Sequence, residues 1–166
     1  MIFINECGMS EKDKIAAYQL LLKQIETLIE NEIEPIGVLA NVSSAIHQTF
    51  ADFFWTGFYL LQDKTLRLGP FQGTPACYSI PVGRGVCGTA VAENRTIVVP
   101  DVELFPGHIA CSSLSRSEIV VPLHDGNQKV VAVLDIDSTN LSTFDSTDQL
   151  WLEKIVELVA RQLYPY

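Results

Sequence analysis

Residues 118–138 read EIVVPLHDGNQKVVAVLDIDS. Two runs rich in Val, Ile and Leu flank Asp125-Gly126-Asn127, and that turn between β-favouring runs predicts an antiparallel hairpin. Upstream, FFWTGFYLL (53–61) is aromatic and β-favouring, Asp63 and Lys64 turn the chain, and TLRLGPF (65–71) is its hairpin partner. Gly73 and Pro75 break that strand. CYSIPV (77–82) and TIVVP (96–100) are further short extended runs, with a short helix predicted between them over Val86–Asn94. Residues 101–117, DVELFPGHIACSSLSRS, lack clear periodicity, and loops of that length in a compact domain are usually functional or disordered.

Helices flank this β-rich centre. Over 11–31, Ile15, Tyr18, Leu22, Ile25 and Ile29 recur at three and four residues, and Ser10 with Asp13 supplies an N-terminal cap. Pro35 opens a second helix, about 35–50, with Ile36, Leu39, Val42 and Ile46 as its apolar stripe. The stretch 146–163 places Leu152, Ile155, Val156, Val159 and Leu163 on one face, with Ser146 and Gln149 resembling a capping box. Short turns between strands imply antiparallel pairing, so the expected class is α+β with helices flanking a sheet.

The chain has 166 residues, the length of one domain at about 150 residues each. Residues 1–166 are therefore expected to form a single domain, without internal repeat or linker. Apolar residues make up 48% and charged residues 19%, which excludes general disorder. The net charge of −9 argues against nucleic acid and against an electrostatically held membrane surface, because both need Lys and Arg to meet phosphates. Charges interrupt residues 1–30 and no run of about 18 apolar residues occurs, so the expected setting is the cytoplasm, where thiols stay reduced. Four cysteines are too few for a disulfide scaffold but enough for a small redox or metal site.

Cys77, Cys87 and Cys111 fall in the middle of the chain and Cys7 stands apart. No close Cys pair occurs, which disfavours structural zinc, and the pair His108 and Cys111 does not make a metal site alone. Each cysteine taken singly could be a small buried hydrophobe. Cys111, however, lies in a polar loop beside Ser112, Ser113 and Arg116, a setting that can favour the nucleophilic thiolate. Cys87, beside Gly88 and Ala90, has a packing pattern, and Cys77 begins a predicted strand where an end residue could face a site.

Asp135 and Asp137 alternate along one strand and so share a face. They are either turn chemistry at a strand end or members of a site. Glu118 opens the strand expected to pair with theirs, and three crowded carboxylates cost energy unless they meet a cation or hold a proton. Trp55 and Tyr59, four apart on one strand, are either core or an aromatic wall for an apolar ligand tip. GRGVCG (83–88) is glycine-rich but lacks the phosphate-loop spacing and its lysine.

Four segments carry a family resemblance: WTGFYLL (55–61), LGPFQGTPACYSIPVGRGVCGTAVAEN (68–94), FPGHIACSSLSRSEIVVPL (105–123) and VAVLDIDS (131–138). Together they closely resemble the free methionine-(R)-sulfoxide reductases, single-domain GAF-fold enzymes. HDGNQKV (124–130) is a residue longer at its turn than the family pattern, and Cys7 has no counterpart in it. The resemblance implies a six-stranded antiparallel sheet flanked by N-terminal and C-terminal helices. It implies that Cys111 is the catalytic nucleophile, that Cys77 resolves the intermediate as a disulfide, and that Cys87 is an additional redox cysteine. It implies that Trp55 and Tyr59 receive the substrate methyl group and that Glu118, Asp135 and Asp137 form the acidic substrate site, with Glu118 as proton donor and both aspartates on the ammonium.

The expected reaction is thiol-dependent reduction of the free sulfoxide, without metal or organic cofactor, with a thioredoxin-like reductant. Family members are often dimers, so a homodimer is expected. Two other classes share these features: a non-catalytic GAF sensor binding a small molecule, and a redox-switch or zinc-binding interaction domain.

Overall fold

The computed structural model describes residues 9–165. Cys7 lies outside them. A six-stranded antiparallel sheet is built from β1 (Trp55–Gln62), β2 (Thr65–Gln72), β3 (Ser79–Pro81), β4 (Ile97–Val99), β5 (Ser117–His124) and β6 (Val130–Ser138). Their spatial order is β3-β2-β1-β6-β5-β4. Every pairing is antiparallel, as the short turns imply. At the 125–127 turn the Asp125 carboxylate accepts from the N–H groups of Asn127 and Lys129, both at 2.9 Å.

Helices α1 (Glu11–Leu28), α2 (Pro35–Thr49) and α4 (Ser146–Leu163) accompany the sheet together with the short α3 (Gly85–Glu93). Strand alternation divides the sheet into two faces. Ile119, Val121 and Leu123 of β5 and Ala132, Leu134 and Ile136 of β6 enter the larger core, with Tyr18 and Ile25 of α1, Leu39 and Ile46 of α2, and Leu152 and Ile155 of α4. Val120 and Val133 point to the opposite face and join a second core with Val86, Cys87 and Ala90 of α3. The two-residue period that builds these cores also sends Glu118, Asp135 and Asp137 to the α3 side.

Several local expectations need correction. The first helix ends at Leu28 rather than 31, and Asn31 adopts a left-handed φ of 63°. Ile36 is 72% exposed, because the buried stripe of α2 runs through Val38, Leu39, Val42, Ser43 and Ile46 and leaves the first turn outside it. The α4 capping box is formed by Asp145 and Asp148, not Ser146 and Gln149. Asp148 is drawn inward because it also accepts from Tyr18 at 2.8 Å and from Lys14 at 2.5 Å, which ties α4 to α1. The long loop contains one 3-10 turn, Val102–Leu104. Cys77 precedes β3 by two residues instead of beginning it.

Candidate active site

Cys77 and Cys111 are joined by a disulfide, with their Cα atoms 5.2 Å apart across 34 residues of chain. Cys77 comes from the β2–β3 connection and Cys111 from the segment between the 3-10 turn and β5. Cys111 lines a pocket between α3 and the sheet, as do Thr74, Pro75 and Ala76 just before Cys77. With the disulfide closed, the space inside is about 30 Å³. That is room for about one water, far too little for an amino acid.

The aromatic wall comes from β1. Trp55 and Tyr59 stand with ring centroids 6.0 Å apart, and Phe71 of β2 stacks behind Trp55 at 5.3 Å. The Trp55 indole N–H donates to the Thr74 carbonyl at 3.0 Å. The Tyr59 hydroxyl donates to the Cys77 carbonyl at 3.1 Å, so the wall also holds the segment carrying one of the bonded cysteines. Gly57 lies between them, opposite Asp135 in the ladder. A Cβ there would collide first with the Phe71 side chain across the strand pair and come within 2.7 Å of the Trp55 ring, so the packing of both rings depends on a glycine.

The floor is acidic. Glu118 pairs across the β5–β6 ladder with Asp137, while Asp135 pairs with Val120 one step away. Glu118 is 6% exposed and Asp135 7%. Burial raises both carboxyls well above their usual range, and repulsion from neighbouring carboxylates adds to the effect. Burial likewise lifts Asp137 to about 6, opposed by a hydrogen bond donated by Ser115. Cys87 reaches the floor from α3, with Sγ 4.0 Å from Glu118 Oε1. Its thiol is pushed well up by burial and by the surrounding carboxylates, so it is held protonated. Asp135 Oδ1 is buried without a hydrogen-bond partner.

The loop bearing Cys111 forms the remaining side. His108 Nε2 lies 3.8 Å from Glu118 Oε2, and burial lowers the imidazole pKa, which favours its neutral form. Ile109 packs beside Gly85, whose φ of +59° starts α3 against the pocket.

Six of the seven expected catalytic or substrate-binding residues (Trp55, Tyr59, Cys111, Glu118, Asp135 and Asp137) therefore line one pocket together with Cys87, and the seventh, Cys77, is joined to it through its disulfide with Cys111. The sequence marks His108 only as a possible metal ligand and carries no signal for Ser115, Thr74 or Gly57. Their contacts arise between distant segments, and a serine or threonine in a polar loop carries no periodic signal. The arrangement offers a redox couple at a pocket mouth, an apolar wall, and a floor that can hold protons and a cation.

The GAF domain family model matches residues 26–163. The free methionine-R-sulfoxide reductase of Escherichia coli (strain K12) is 46% identical over 151 residues, covering 91% of both chains. The free methionine-R-sulfoxide reductase of Saccharomyces cerevisiae is 41% identical over 163 residues, covering 94% of this chain and 89% of that protein. Among solved structures, free methionine-R-sulfoxide reductase from Neisseria meningitidis in complex with its substrate superposes with a TM-score of 0.88. It is 45% identical, covering 96% of this chain and 95% of that one. With this similarity extending over nearly the whole chain, the protein belongs to the free methionine-R-sulfoxide reductase family of GAF-domain proteins.

Proposed function

We propose that this protein reduces free L-methionine-(R)-sulfoxide to L-methionine through a sulfenic acid on Cys111 and a disulfide with Cys77. The observation that carries the reading is the Cys77–Cys111 disulfide at the mouth of a pocket floored by Glu118, Asp135 and Asp137. A non-catalytic sensor would leave that redox couple unexplained.

The substrate methyl group lies against Trp55 and Tyr59, and its ammonium meets Asp135 and Asp137. Peptide-bound methionine has an amide there instead of a charge, which accounts for selectivity toward the free amino acid. Glu118, kept protonated by burial, donates its proton to the sulfoxide oxygen and makes the sulfur more electrophilic. The Cys111 thiolate attacks that sulfur; the protonated oxygen then passes from the substrate sulfur to Cys111 Sγ as the S–O bond and the new sulfur–sulfur bond break, so methionine leaves and Cys111 becomes a sulfenic acid. The Cys77 thiol attacks the sulfenic sulfur, forming the disulfide and releasing water. A dithiol then exchanges with the disulfide, so two thiols are oxidised for each sulfoxide reduced. Cys87 lies on the floor as an additional thiol of the site.

The physiological dithiol in this reading is thioredoxin-like, the state homodimeric and the setting cytoplasmic, where thiols are kept reduced. Among the described residues, no helix is long and apolar enough to cross a membrane.

The test incubates reduced protein with free (R)-sulfoxide and a dithiol and follows methionine by chromatography. Methionine must form with wild type, and neither with the (S)-epimer nor with the N-acetylated sulfoxide. Equal yield from Cys111→Ser would refute the reading.

A further inference from the structure

The pocket floor has a ligand set that the proposed reaction does not use as such. Cys87, Glu118 and Asp135 offer one sulfur and two carboxylate oxygens, all within 4.8 Å of one another. All three residues are buried, and they come from three elements, α3, β5 and β6. That origin explains why no close Cys–His spacing announces them in the sequence. Asp135 Oδ1 is buried without a hydrogen-bond partner, which leaves an acceptor free beside Cys87 and Glu118.

We infer that Cys87, Glu118 and Asp135 form a binding site for a thiophilic divalent cation of the zinc class. Tetrahedral zinc with bonds of about 2.0–2.3 Å places its ligands roughly 3.3–3.8 Å apart. The Cys87–Glu118 separation is 4.0 Å, so small side-chain rotations close the set around an ion. A thiolate among the ligands selects zinc, cadmium or cobalt over magnesium and calcium, which prefer oxygen alone. Three protein ligands leave a fourth position for water, and a space of about 30 Å³ fits that water but no amino acid. His108, 3.8 Å from Glu118, is placed to orient that carboxylate from outside the ligand set.

Disulfide closure makes the site specific to Cys87. Cys77 and Cys111 are bonded to each other, and among the described residues Cys87 is the free thiol. Metal binding transfers the protons of Cys87 and Glu118 to solvent and leaves every oxidation state unchanged. The ion would occupy the region assigned above to the substrate ammonium, so zinc and substrate exclude one another; this last clause rests on the proposed reaction, and the binding itself does not.

The experiment uses full-length, metal-stripped protein with the disulfide closed. Zinc is titrated in competition with a chromophoric chelator, and cobalt is added separately to look for a thiolate-to-metal charge-transfer band. One equivalent of zinc and a cobalt band are expected. Cys87→Ser abolishes the band, Cys87→Ser and Asp135→Asn each weaken zinc by more than about tenfold, and Cys7→Ser leaves both signals unchanged. Circular dichroism checks each fold, and Asp135→Asn carries the comparison should Cys87→Ser fail to fold. Absence of competition, or zinc binding that survives both floor variants, overturns the inference. Sulfoxide turnover by the metal-free reduced protein is measured separately. Turnover without zinc binding refutes the metal site alone, and zinc binding without turnover refutes the proposed reaction alone.

Discussion

Glu118 on β5 stands directly opposite Asp137 on β6, a buried and a half-buried carboxyl paired across an antiparallel ladder. Burial disfavours the charged forms of both, and neighbouring carboxylates add to this at Glu118, so the native protein retains protons there that an unfolded chain would lose. With the carboxyl pKa values raised on folding, the native state binds more protons than the unfolded state from about pH 4 upward. Stability therefore falls as pH rises through that window, and for Asp137 the window closes near 6. Thermal melts between pH 4 and 8 check this, with Asp137→Asn as the comparison. The variant is expected to lose part of the downward slope and to gain on the order of 2 kcal/mol at pH 8. At roughly 2–4 °C per kcal/mol, that is a rise of several degrees in Tm.

Closure of the Cys77–Cys111 disulfide leaves about 30 Å³ in the pocket. The oxidised protein is therefore expected not to bind free methionine sulfoxide, whereas reduced Cys111→Ser protein, which cannot turn it over, binds it. Calorimetric titration of the two forms decides the point. Equal affinity would mean that the Cys111 segment does not control access.

Phe71 and Trp55 both pack against Gly57, where a Cβ would collide with Phe71 and approach the indole to 2.7 Å. Gly57→Ala is expected to cost about 1–3 kcal/mol of stability by overpacking and to raise KM by displacing the ring. Trp55→Ala removes the apolar wall itself and should lower kcat/KM by roughly 10–200-fold, the range for one poorly held methyl group. Steady-state kinetics with free sulfoxide checks both. A Trp55→Ala enzyme with wild-type kcat/KM would remove the methyl-binding role.

The acidic floor was legible in the sequence because β-strand alternation is strict: Asp135 and Asp137 had to share a face, and Glu118 opened the neighbouring strand. The hairpin at 125–127 then fixed their register, and the structure follows it. The Ser10 cap of α1 was legible for a similar local reason, and Ser10 Oγ accepts from the Asp13 N–H at 3.2 Å. The α4 cap was not, because Asp145 and Asp148 are selected by Lys14 and Tyr18 from a helix more than 120 residues away. Ser115 on Asp137, the Thr74 carbonyl on Trp55 and the approach of His108 to Glu118 are long-range contacts of the same kind. The Cys77–Cys111 pairing came only from the family resemblance, since nothing in the residues between them sets which thiols meet.

The central claim is that one sulfoxide is reduced for each Cys77–Cys111 disulfide formed. Reduced protein, freed of excess reductant, is mixed with free methionine-(R)-sulfoxide; methionine is quantified by chromatography and the disulfide is mapped by peptide mass spectrometry. The account predicts one methionine per protein in wild type, with Cys77 linked to Cys111 and Cys87 still a thiol. Cys77→Ser should release one methionine and leave Cys111 oxidised without that bond, while Cys111→Ser releases none. Methionine formed without oxidation of Cys111, or no methionine from wild type, would contradict it.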